Sequence, residues 1–326
     1  MRIQRRRLVF SSAALAALAL TSAFAQPVRK PARIGVLSST SPDARSSFWF
    51  AFKDGMAKLG WIEGRDVNYI YRYTRGDSTR FDALAAELVA EKPDLIFAGS
   101  QSAAVSAKRA TREIPIVFGM AVEPVTSGLV ANLARPGGNA TGLTGISVET
   151  RAKTLELLRE IRPQARQVAV VIAPGEIGRQ TLMHIEQAAR SVGIEVRPLF
   201  VGNPVELDKS LQALADTRPD GVLFLGTGMT SRQKVTRRMT ELKLPAIYFL
   251  SEMVVAGGLA SYGAELSDNF RRAANFADRI LKGAKPADLP VEQPTKFELF
   301  VNQKTAREQG IKIPQSVLLR ATKVIE

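Results

Sequence analysis

Apolar and polar positions along this chain alternate between two rhythms. Short unbroken apolar runs, typical of buried strands, are separated by longer stretches whose apolar residues recur every three or four positions, as on a helix face. "ARIGVLSS" predicts a strand, "SSFWFAFKDGMAKLGW" a helix ending near Gly60, "RDVNYIYRYT" a strand and "STRFDALAAELVAEK" a helix capped by Ser78 or Thr79. "PDLIFAGS", "QSAAVSAKRATRE" and "IPIVFGMAV" continue as strand, helix, strand. A second round runs from "ETRAKTLELLREIRP" to "LPAIYFLSE". Regular strand–helix alternation predicts the α/β class, with parallel sheets covered by helices on both faces. After both rounds come "GGLASYGA", the helical "LSDNFRRAANFADRILKG", a proline-rich link and the strand "KFELFVN". This tail predicts that the chain returns to the first domain and crosses over again.

Between the rounds lies "GLVANLARPGGNATGLTG", residues 128–145. A phosphate-binding loop follows a strand and opens a helix, so that free N–H groups face the anion. Here the order is reversed. "VEPVTSGLVANLA" reads as helix, Gly137 and Gly138 supply the positive φ angles of its stop, and "NATGLTGIS" runs on extended. A helix C-terminus has the wrong dipole sign for phosphate. Residues 141–147 therefore read as a connector between halves, with glycines suited to a hinge. Gly226-Thr227-Gly228 is half of a dinucleotide fingerprint, but Ser231 stands where the third glycine belongs.

The N-terminus reads as an export signal. Arg2, Arg5, Arg6 and Arg7 precede an apolar stretch, Leu8 to Leu20, that is too short to span a bilayer, and Ala23-Phe24-Ala25 places cleavage before Gln26. Arg5-Arg6-Arg7-Leu8-Val9 also loosely fits a twin-arginine signal, so the export route stays open. Removing the signal takes away four arginines and no acid, which lowers the net charge from +14 to about +10. The basic residues are scattered and lack aromatic neighbours, which reads as a solvated surface rather than a nucleic-acid face. With no cysteine and His184 as the only histidine, thiolate chemistry and a histidine-built zinc site are excluded. His184 falls off its helix's apolar face, which predicts exposure.

Ligands of doubly wound sheets collect at the carboxyl ends of strands. Ser38, Ser39, Thr40 and Ser41 end the first strand; Ser100, Gln101 and Ser102 follow the third; Ala121, Val122 and Glu123 follow the fourth. Pro174 and Gly175, then Thr227, Gly228 and Met229, and finally Ser251 and Glu252 close strands of the second round. Hydroxyls, an amide, backbone N–H groups and two carboxylates suit a small polar ligand and are poor in acid–base catalysts. Two readings of the serines stay open, as helix caps or as ligand contacts. Trp49, with Phe48, Phe50 and Phe52, reads as core.

"PIVFGMAVEPVTSGLVANLARPGGNATGLTG" and the block from "AGGLASYGAELSDNF" to the C-terminus resemble the substrate-binding proteins of ABC-type uptake transporters, in the branch related to tryptophan and aromatic amino-acid binders. The resemblance covers nearly all of the mature chain. It implies a type I periplasmic-binding-protein fold: two Rossmann-like lobes, three hinge crossings and a ligand clamped between them, with no cofactor and no metal. Amino-acid-binding members tend to carry Asp where this chain has Glu123, and another Asp near Thr227-Gly228-Met229. Relatives have an Asn-Ser-rich turn at Pro174-Gly175-Glu176. Expected boundaries are 1–25 for the signal, 26–143 plus 258–296 for the N-terminal lobe, and 144–257 plus 297–326 for the C-terminal lobe. The reading is a monomeric periplasmic receptor that hands a small polar or carboxylate-bearing molecule, amino-acid-like or an aromatic acid, to an inner-membrane permease. The alternatives are a sensor module for a signalling partner, and a hydrolase or isomerase using Glu123 or Glu252 as base.

Overall fold

A computed structural model describes residues 30–39, 47–145, 148–225 and 231–326. Two sheets organise them. The first contains β1 (Ala32–Ser38), β2 (Val67–Tyr73), β3 (Leu95–Ala98), β4 (Ile116–Ala121) and β5 (Ala140–Thr144) in the order β2-β1-β3-β4-β5, all parallel. The second contains β6 (Gln167–Ile172), β7 (Glu195–Phe200), β8 (Gly221–Leu225), β9 (Ala246–Tyr248), β10 (Ala260–Ala264), β11 (Phe297–Asn302) and β12 (Lys323–Ile325). Its order is β12-β11-β10-β9-β8-β6-β7, and only the β10–β11 pairing is antiparallel. Read from β7 to β10, the second sheet repeats the order of the first. Each half therefore has a switch point, at β1/β3 and at β6/β8, where the connections diverge and leave a crevice.

Helices cover both faces of the first sheet. α1 (Ser47–Lys58) and α9 (Leu266–Leu281) share one face, where Phe52, Met56, Phe97, Phe270 and Phe276 are buried together. α2 (Phe81–Ala90) and α3 (Gln101–Ala110) cover the other, over Leu37, Leu88, Ile96 and Phe118. Burying each such side chain contributes about 1.5–3 kcal/mol. Gly55 sits mid-helix in α1, where it costs about 1 kcal/mol relative to Ala. A Cβ there would come within 2.8 Å of the Ala274 Cβ and the Arg271 carbonyl, so the glycine lets α1 and α9 pack closely. Trp49, half-buried, stacks on Phe52 at 5.3 Å and packs edge-on to Tyr69 and Tyr71, whereas Phe50 is 57% exposed and not part of the core.

The second core spans β6 to β11 under α4 (Val148–Ile161), α5 (Glu176–Arg190), α6 (Pro204–Thr217), α7 (Arg232–Glu241) and α8 (Ser251–Val255). α10 (Gln303–Gln309) and α11 (Gln315–Arg320) complete the chain. His184 on α5 is half-buried, not exposed as its phase predicts.

Three further expectations change. Residues 122–134 form turns rather than a helix. Gly128 has φ 68°, and the amides of Val122 and Glu123 are held by the Gln101 side chain, so the segment is pinned outside helical geometry while Leu129 and Val130 still reach the core. Gly137 adopts positive φ (72°), whereas Gly138 does not. Residues 260–264, which the boundary at 258 assigns to the N-terminal lobe, belong to the second sheet as β10. Their antiparallel partner β11 lies in that sheet, and the ladder needs both strands there.

The described chain passes between the sheets three times: after β5, at Glu265 between β10 and α9, and at Lys296 before β11. The crossings are tied to one another. The buried Asn269 amide donates to the Thr144 carbonyl at 2.9 Å, the Glu265 amide donates to the Lys296 carbonyl at 3.0 Å, and the Lys296 ammonium meets the Asp268 carboxylate at 2.7 Å. Phe48 and Met120 pack against both cores beside them.

Candidate functional site

The loops after β2 and β7 touch. The Ser78 amide and hydroxyl both donate to the Gly202 carbonyl, at 2.9 and 2.8 Å. Because neighbouring strands within each half run parallel, this contact shows that the carboxyl ends of both sheets face each other. The described residues that follow the parallel strands nearest this contact therefore border the space between the lobes.

At the first switch point, β1 ends at Ser38 and β3 runs into Gly99 and Ser100. A Cβ on Gly99 would lie 3.3 Å from the Ser38 Oγ, so these two ends are adjacent. Ser100 caps α3, its Oγ accepting from the Ala103 amide at 3.3 Å. The cap uses neither the Gln101 nor the Ser102 amide, and helix geometry leaves the first N–H groups free of intrahelical partners. Gln101 is only 3% exposed. Its Oε1 accepts from the amides of Val122 and Glu123, tying the end of β4 to the start of α3. Its Nε2 has no hydrogen-bond partner. Thr74, just past β2, is likewise buried with an unpartnered hydroxyl, and sequence patterning did not single it out. A buried polar group left unpaired costs about 1–3 kcal/mol, which a ligand group can recover.

The remaining positions divide into two groups. The Ala121 carbonyl accepts from the Gly145 amide at 2.7 Å, which places Ala121 and Glu123 beside the first crossing. Ser39 accepts the Gly76 amide through its carbonyl. Pro174 and Gly175 are exposed and lie by Gly202, at the far side of the cleft. Thr227, Gly228 and Met229, like Thr40 and Ser41, lie outside the described residues. Glu252 stands on the first turn of α8, apart from Gln101, in company that sequence spacing did not reveal. Burial, with the nearby carboxylates of Glu252 and Glu265, pushes the Glu298 acid up, while a hydrogen bond from Ser251 pulls the other way. Glu252, Glu265 and Glu298 thus cluster in the second lobe where β10 and β11 meet the crossings.

Among the described residues no group of His, Asp and Glu is arranged to hold a metal, and no helix is long and apolar enough to cross a membrane. Residues 33–325 match the family model described as "ABC transporter substrate binding protein". The chain belongs to this family of ABC transporter substrate-binding proteins.

That makes it a solute-binding protein rather than an enzyme, and its two lobes have the type I periplasmic-binding-protein fold. The substrate-binding protein is 25% identical over 284 residues to a tyrosine-binding protein of Clostridioides difficile, covering 86% of this chain and 81% of the relative. It superposes with a TM-score of 0.82 on a Streptococcus pneumonia ABC domain in complex with L-Trp, at 27% identity, covering 91% of this chain and all of that one. The ligand-free, open structure of a Clostridium difficile substrate-binding protein with adhesive properties gives a TM-score of 0.61 at 25% identity, over 90% of this chain and 99% of that one.

Proposed function

We propose that the protein is the periplasmic receptor of an ABC-type uptake system and captures an amino-acid-like or aromatic carboxylate by hinge closure. After signal cleavage near Ala25-Gln26 it acts as a monomer and docks transiently on an inner-membrane permease. The observation that carries the ligand class is the start of α3. First-turn amides without intrahelical partners, the positive end of a helix dipole and a buried, unpartnered Gln101 Nε2 all belong to this helix start, and all favour a carboxylate. Relatives that bind tyrosine and L-Trp support an α-amino acid with an aromatic side chain. The carboxylate cluster of Glu252, Glu265 and Glu298 suits its ammonium.

Closure about the three crossings would bring α3 and α8 onto one ligand. Binding energy shared by both lobes shifts the open and closed populations, and only the closed form aligns both docking surfaces. Thermal unfolding against a panel of amino acids, aromatic acids, nucleosides and sugars tests the reading. A ligand present at 100 times its dissociation constant adds about 2.7 kcal/mol of stability. The expected result is stabilisation by aromatic amino acids or aromatic acids. Stabilisation by sugars or nucleosides alone would refute the ligand class.

A further inference from the structure

Hinge and interlobe contact lie at opposite ends of the cleft. The three crossings gather beside β5, at one edge of the first sheet, and beside β10 and β11 of the second. Ser78 follows β2, the other edge of the first sheet, and Gly202 follows β7, the other edge of the second. With strands about 4.8 Å apart, β2 lies about 19 Å from β5. A lobe rotation of roughly 10° would move that edge by about 3 Å, enough to break a hydrogen bond. The Ser78–Gly202 contact therefore forms only when the lobes are closed.

Both sides of the contact are held within their own lobe. Asp77 accepts from the Thr79 amide at 3.1 Å and the Thr79 hydroxyl at 2.6 Å, fixing the single turn Ser78–Arg80. The Gly202 amide donates to the Glu206 carboxylate at 2.6 Å, and Asn203 caps α6 through the Glu206 amide at 2.9 Å. Space at Gly202 is tight. A Cβ would come within 2.8 Å of the Pro174 Cγ and 3.1 Å of the Ser78 Oγ. Its φ is not in the left-handed region, so the glycine answers to the contact rather than to backbone conformation.

We propose that Ser78 and Gly202 form a ligand-independent clasp that holds part of the empty receptor closed and so sets its apparent affinity. This rests on the two-lobe receptor reading above. Apparent affinity scales with the fraction of protein already in the binding-competent state. Ser78→Ala removes one of the two donors and keeps the backbone one, so the closed-to-open ratio should fall about 2- to 10-fold, the worth of one net hydrogen bond. Gly202→Ala, which pushes Pro174 and Ser78 away, should lower it further.

The chain has no cysteine, so a pair of introduced thiols labels cleanly. Ala86→Cys on α2 and Lys209→Cys on α6 are exposed positions, one in each lobe. Spin labels there report the interlobe distance by pulsed electron–electron resonance in ligand-free protein. The expected result is a short-distance population in the otherwise wild-type protein that shrinks in Ser78→Ala and shrinks more in Gly202→Ala. Identical distributions in all three, or an otherwise wild-type protein entirely open without ligand, would overturn the clasp. Circular dichroism checks folding, and if Gly202→Ala fails to fold, Ser78→Ala alone decides. The readout uses empty protein, so failure to find a ligand leaves it standing. Tight aromatic amino-acid binding with unchanged distributions would remove the clasp and keep the receptor.

Discussion

Gln101→Glu separates the two jobs of one side chain. The Oε1 of Gln101 holds the amides of Val122 and Glu123, while its Nε2 has no partner. Glutamate keeps the shape and the acceptor oxygen. Two amide donors and the helix N-terminus favour its charged form, so it should stay ionised near neutral pH. The two hydrogen bonds become charge-assisted, worth about 1.5–3 kcal/mol each instead of about 0.5–1.5, and this gain works against the cost of burying the charge. Stability should therefore change little. Affinity should not survive. A donor to a ligand carboxylate becomes an acceptor that repels it, and losing one charged hydrogen bond alone is worth about 1.5–3 kcal/mol, or about 10- to 150-fold. Gln101→Met is the contrast. It strands both half-buried amides, at up to about 1–3 kcal/mol each, so it should lower the melting temperature as well. Isothermal titration with the ligand from the thermal panel, alongside calorimetric melts, reads both quantities. A well-folded Gln101→Glu protein with wild-type affinity would remove the start of α3 from the site.

Three further outcomes follow from the geometry. Gly142 has φ 149°, and a Cβ there would collide with the Phe118 backbone, so Gly142→Ala should cost more than about 3 kcal/mol in urea unfolding. Asn269→Ala strips the buried Thr144 carbonyl of its donor and should cost about 1–3 kcal/mol; a melt unchanged within error would mean that the crossings are not coupled through it. Glu298 has its folded-state acid raised, so the native state holds a proton that the unfolded chain releases, and stability falls as pH rises from the usual glutamate value through the raised one. Glu298→Gln should flatten that fall, read as the difference between wild-type and variant melts from pH 4 to 8.

Most of the architecture was legible because each sheet is covered on both faces, which turns strands into unbroken apolar runs and helices into stripes. "LIFA" and "GVLFL" are buried along their whole length in β3 and β8. The exception at 122–134 has a specific cause. Its apolar spacing is helical, but a long-range bond from Gln101 sets the backbone where it begins. Candidate site residues could be named only at strand ends. Ser38, Ser100 and Gln101 stand out as candidates because a doubly wound sheet puts ligands there. Thr74 lacks any pattern, and the company of Glu252 with Glu265 and Glu298 depends on an antiparallel return strand that local periodicity does not encode. The clasp was hidden for the same reason, since Ser78 and Gly202 meet only once both lobes exist.

The central claim is that the cleft grips a carboxylate at the start of α3. Calorimetric titration of the refolded, ligand-free protein with an aromatic amino acid and with its decarboxylated amine isolates that group. The account predicts that the amino acid binds at least about 10-fold more tightly than the amine, the loss expected for one charged hydrogen bond. Equal affinity for the two would contradict it.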